Sequence, residues 1–117
     1  MTTPNLLNLT TITPKTAVQA ITTVATAIVT NSAASNTVLK ISALYVSNVD
    51  GTNNESVTVD VFRDSVAYYI AKTVVVPADA TLDVINKSIY LLEGDTLRLT
   101  AGANSRLQAV CSYEEIA

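Results

Sequence analysis

The chain has 117 residues, 49% of them hydrophobic and 15% charged, with a net charge of −3. That length holds one domain with a modest core and excludes two ordinary ones. The seven basic residues (Lys15, Lys40, Arg63, Lys72, Lys87, Arg98, Arg106) stand singly, which excludes the clustered cations that grip phosphate backbones, so no nucleic-acid partner is expected.

The chain has no histidine and one cysteine, Cys111. Ser–His and Cys–His nucleophilic centres in their usual form and zinc sites are therefore excluded. Three glycines form no phosphate-cradling motif. The ten carboxylates fall mostly in turns or at outward strand positions, where they are expected to be solvated. There is no Trp to serve as a sugar platform, which counts against a glycosidase. No enzymatic activity, cofactor or metal is expected. Soluble surfaces commonly carry roughly 25–35% charged residues. Thr, Ser and Asn must supply much of the polar surface here, and such a neutral surface fits contact between copies of the chain.

Taken in order, residues 1–15 read as an extended arm. Pro4 and Pro14 fix φ and remove backbone donors. Leu6, Leu7, Leu9 and Ile12 are too apolar for a solvated tail, so the arm is expected to lie on its own domain or on a neighbouring subunit. No basic region followed by an apolar run is present, so no secretory leader is expected. Four threonines from Thr16 to Thr26 argue against a bilayer-spanning helix, and no membrane partner is expected. Asn-X-Ser/Thr triplets at Asn8, Asn54 and Asn86 are common in a chain this rich in Ser and Thr and are read as unmodified.

Residues 16–117 read as one antiparallel β-sandwich or jelly-roll-like domain of about eight strands. Between Thr16 and Thr30 the spacing also fits a helix. The β-branched Thr, Val and Ile favour two strands instead, 17–22 and 26–30. Residues 38–49 are apolar on both faces, with Leu39, Ile41, Ala43 and Tyr45 on one side and Val38, Leu44 and Val46 on the other. The Asp50-Gly51-Thr52-Asn53-Asn54 loop predicts a hairpin from this strand into the next, where Val57, Val59 and Val61 alternate with Thr58, Asp60 and Phe62. The same Asx-rich loop also allows a calcium site from Asp50, Asn53, Asn54 and Glu55. A short turn at Asp64-Ser65 leads into strand 66–76, which Pro77 ends. Its Tyr68 and Tyr69 point to opposite faces, so one of them is expected outside. Glu93-Gly94-Asp95 predicts a second hairpin, and the last strand alternates Leu107, Ala109, Cys111 and Tyr113 inward. Cys111 is expected to be a small core residue. Turn signals every 8–12 residues are the spacing of a sandwich or jelly roll.

Four ordered segments carry a resemblance. These are Ile41 to Asn48 (ISALYVSN), Val76 to Ala78 (VPA), Leu92 to Ala101 (LEGDTLRLTA) and Ser112 to Ile116 (SYEEI). From Leu39 onward the chain resembles a group of small β-proteins carried by tailed bacteriophages, including those of marine cyanobacteria. The resemblance implies a virion structural protein, located on the virion and carrying no active site. The first expectation is a capsid decoration or cement protein, a homotrimer whose arm clamps a neighbour, with the major capsid protein or another virion protein as a further partner. A tail, neck or fibre-attachment component is the alternative within the same virion. A carbohydrate-binding host-attachment module using Tyr68 or Tyr69 is the alternative of a different class.

Overall fold

Runs of Val, Leu, Ile and Thr alternating with polar residues form nine strands among residues 11–117, which are the residues the structure, a computed structural model, describes. In chain order they are β1 (Ile12–Ile21), β2 (Thr26–Thr30), β3 (Val38–Asn48), β4 (Glu55–Arg63), β5 (Val66–Val76), β6 (Thr81–Asp83), β7 (Ile89–Leu91), β8 (Thr96–Ala101) and β9 (Leu107–Ile116). The first sheet runs β1-β9-β3, with β6 and β7 both on the far side of β3. The second runs β2-β8-β4-β5. All pairings are antiparallel. The chain changes sheet at every connection except β4–β5 and β6–β7, which is jelly-roll order and bears out the expected fold class.

Inward residues of the two sheets make one core. Ile41, Leu44, Val46 and Cys111 face Val57, Val59, Leu97 and Leu99, and all eight are fully buried. Strand β9 alternates as read from the sequence, with Leu107, Ala109 and Cys111 buried between exposed Gln108, Val110 and Ser112. Tyr113 is half-buried against the core.

Three local readings need correction. The stretch from β3 to β4 is not a hairpin: β3 pairs β6, β7 and β9, whereas β4 pairs β5 and β8. The Asp50 loop is a corner between sheets, tied down by Asn48. The Asn48 amide donates to Asn53 O at 2.8 Å and Val76 O at 2.9 Å, and its Oδ1 accepts from Asp50 N at 2.9 Å. Glu93-Gly94-Asp95 is likewise a corner, from β7 in the first sheet to β8 in the second. The hairpin that does form at a two-residue turn is β4–β5. There Asp64 and Ser65 both have positive φ (50° and 63°), the signature of a type I′ turn matched to strand twist.

The third correction concerns the faces of β3. A β-bulge between Ile41 and Ala43 shifts the phase of the alternation by one residue. Leu39 and Ile41 point inward before it, Leu44 and Val46 after it, and Tyr45 is turned outward.

Strand β1 begins at Ile12, inside the segment read as an arm, and pairs with β9 from Ile12↔Ile116 to Ile21↔Leu107. It passes through Pro14 because it is an edge strand, where a missing N–H leaves no ladder partner unsatisfied. Leu6, Leu7 and Leu9 lie outside the described residues.

Candidate self-association surface

Among the described residues, strand β5 closes one side of the second sheet and pairs with β4 alone. Its other edge has no partner among them and presents backbone donors and acceptors, the ordinary template for adding a strand. Edge strands are commonly blunted by charge, proline or short length. This one is eleven residues long, VAYYIAKTVVV, with Lys72 its sole charge. Its first turn and its bulges set how the side chains lie. The ladder to β4 is irregular at Val57–Val59 and Val59–Asp60. Thr73 takes a left-handed φ of 54° and donates its N–H to Thr58 Oγ1 at 3.0 Å.

The result is an apolar strip open to solvent. Tyr68 is 58% exposed, Tyr69 54% and Ile70 39%, with Val66, Val74 and Val75 also exposed. The sequence places Tyr68 and Tyr69 on opposite faces and expects one outside; both are outside, because a bulged edge strand is sheltered on neither face. The Lys72 ammonium stands 4.9 Å from the Tyr69 ring centroid, where the ring face attracts it. On the same outer face, Arg98 Nε donates to Asp60 Oδ2 at 2.9 Å, and the Arg98 guanidinium lies 3.9 Å from the Phe62 ring centroid. These contacts partner the charges next to the strip and leave its centre neutral.

A second, smaller apolar row crosses the outer face of the first sheet. Val18, Val110 and Tyr45 are cross-strand neighbours on β1, β9 and β3 and are all exposed. Val18, Ala20, Gln108 and Val110 line a shallow depression there.

Several carboxylates are not where the sequence puts them. Glu55, Asp60, Glu93 and Asp95 are buried rather than solvated. Asp95 accepts from Arg63 Nε at 2.6 Å, Arg63 Nη2 at 2.5 Å and Leu92 N at 2.8 Å. Glu93 Oε2 accepts from Asn36 N at 3.0 Å. Asn31 donates to Leu91 O and Thr37 O, at 2.9 and 3.1 Å. Together they lock the corner between β7 and β8 onto the loop before β3. No local sequence pattern marks these roles, since the partners lie up to sixty positions apart.

The Asp50 loop uses its oxygens internally. Asp50 Oδ1 accepts from Thr52 N at 2.8 Å and Asn53 N at 3.0 Å, Asn54 Oδ1 accepts from Ala78 N at 3.1 Å, and Glu55 Oε1 accepts from Arg106 Nη1 at 3.0 Å. An Asx turn accounts for the residues read as possible calcium ligands. Among the described residues no group of three or more His, Cys, Asp or Glu is gathered as a metal site would require. The Thr52 and Asn53 amides hold the Asp50 carboxyl below its ordinary value of 3.8. A carboxyl lowered in the folded state stabilises the fold above its unfolded pKa, and that contribution is lost as pH falls through the folded pKa. The amide resonances of Thr52 and Asn53 should therefore titrate together, with a midpoint below 3.8. A midpoint at or above that value would contradict the turn.

Cys111 is fully buried on β9, and burial raises its thiol pKa to about 11. The native protein should resist alkylation by iodoacetamide at pH 8 and react only on unfolding. Rapid native labelling would contradict the packing.

No family model matches the sequence, and no curated protein matches it. Among solved structures, the fold is similar to a protein of Bacillus endospore appendages, described as a novel family of disulfide-linked pili, with a TM-score of 0.55 and 15% identity. The match covers 92% of this chain and 88% of that one. At that identity the likeness is one of fold.

Proposed function

We propose that this chain is a structural subunit that works by associating with copies of itself. The observation that carries the reading is the β5 edge, an eleven-residue strand with one backbone edge unpaired among the described residues and exposed Val66, Tyr68, Tyr69, Ile70, Val74 and Val75. Exposed aromatic and aliphatic side chains with little charge are the composition of interface centres. The fold likeness to a pilus protein supports the same reading.

The setting depends on how the contact closes. A head-to-tail contact that closes gives a ring, and one that does not gives an open filament. A closed trimer fits the virion decoration role that the phage resemblance implies, with a major capsid or other virion protein as the further partner. An open filament fits an appendage. In either case no disulfide through Cys111 joins the folded copies, because that cysteine is sealed in the core. Light scattering on the purified full chain, with and without dithiothreitol, tests the reading. Masses above 12.4 kDa that grow with concentration and ignore the reductant are expected. A monomer at every concentration, or an assembly that reductant dissolves, would overturn it.

A further inference from the structure

We propose that residues 4–10 of one copy add as a strand to the free edge of β5 in a second copy, seating Leu7 and Leu9 on the strip formed by Val66, Tyr68, Ile70 and Val74. The inference rests on the self-association proposed above and names the two surfaces that meet.

Sequence pattern, point of departure and reach favour a second copy as the partner. In residues 5–10, NLLNLT, the period of two puts Leu7 and Leu9 on one face and Leu6, Asn8 and Thr10 on the other. Leu7 and Leu9 then match an apolar strip, while Asn8 and Thr10 suit the side carrying Tyr69 and Lys72. Pro4 lacks the donor that would continue a ladder and ends the added strand.

Thr11 exchanges both backbone hydrogen bonds with Ala117, at 2.9 and 3.0 Å. The preceding residues therefore start at the end of the sandwich where β5 also begins, but on the opposite side. Strand β1 is one lateral edge, and β5 lies at the other. Three strand spacings and one sheet separation put roughly 17 Å between them. An extended chain spends about five residues on that crossing, which leaves too few of residues 4–10 to run along β5 of the same copy. In a second copy placed beyond that end no such crossing is needed. There β5 offers an edge of about 37 Å, longer than the roughly 24 Å of a seven-residue strand.

The test uses the full chain and the silence of its buried Cys111. Leu7→Cys is mixed with Tyr68→Cys carrying a mass tag, oxidised, and run without reductant. A second mixture replaces the tagged partner with Val18→Cys, on the outer face of the first sheet. Tyr68 and Val18 are both exposed. The proposal expects a heterodimer in the first mixture at about tenfold or more over the second, as an enforced local concentration produces. Equal cross-linking in both mixtures, or none at Tyr68→Cys while the unmodified protein still assembles, overturns the docking and leaves self-association standing. An unmodified protein that stays monomeric overturns self-association and the docking with it.

Discussion

Tyr68→Asp combined with Ile70→Asp should reduce the assembled protein to a 12.4 kDa monomer and leave its melting temperature within about 3 °C of the unmodified chain. Both side chains are exposed in the single subunit, so its folding gains little from them. In an assembly the same positions become interface centre. An unpaired carboxylate there must be desolvated without a partner, at a cost on the order of 2 kcal/mol each. Two such costs weaken association about a thousandfold. Size-exclusion chromatography with light scattering reads the mass, and calorimetry reads the melting temperature. A variant that assembles like the parent would remove β5 from the account. A variant that melts far lower would mean the strip serves the fold instead.

The second large effect concerns the fold itself. Asp95→Ala should destabilise the chain by about 3 kcal/mol, from the lost charge-assisted bonds to the half-exposed Arg63 together with the lost acceptor of the Leu92 N–H. For a domain of this size that is roughly a 12 °C fall in melting temperature. The carboxylate is fully buried, holds Arg63 through two bonds and accepts the Leu92 N–H. Alanine leaves that N–H and one face of the guanidinium without acceptors. Asp95→Asn keeps one acceptor for Leu92 and should lose about half as much. Urea denaturation measures both. A loss under about 1 kcal/mol for Asp95→Ala would mean that solvent already supports this corner.

Strands were legible in the sequence because alternation is a local signal. Val57, Val59, Leu107 and Ala109 alternate with their neighbours as read, and all four are buried. Pairing was not legible, because period two says which residues share a face but not which strand lies beside them. The Asp50 and Glu93 loops therefore read as hairpins, although each carries the chain from one sheet to the other. The Asp64-Ser65 turn was the exception: two residues between strands leave no room to change sheet. Tyr45 was grouped on one face with Leu39 and Ile41 because the bulge after Ile41 adds a residue that no composition rule announces. The buried carboxylates escaped for a related reason. Asp60 and Arg98, or Arg63 and Asp95, become partners only once β4 and β8 lie side by side. The proposed self-association surface was half legible: one of Tyr68 and Tyr69 was expected outside, but the open edge beside them follows from the sheet order.

Hydrogen exchange on the full chain, dilute and concentrated, tests most directly whether copies associate through β5. An unpaired edge opens and exchanges readily, and an added strand protects it. The account predicts that amides within Val66–Val76 slow on concentration while those of the already paired β9 change little. Protection appearing instead on β1, with β5 unchanged at every concentration, would contradict it.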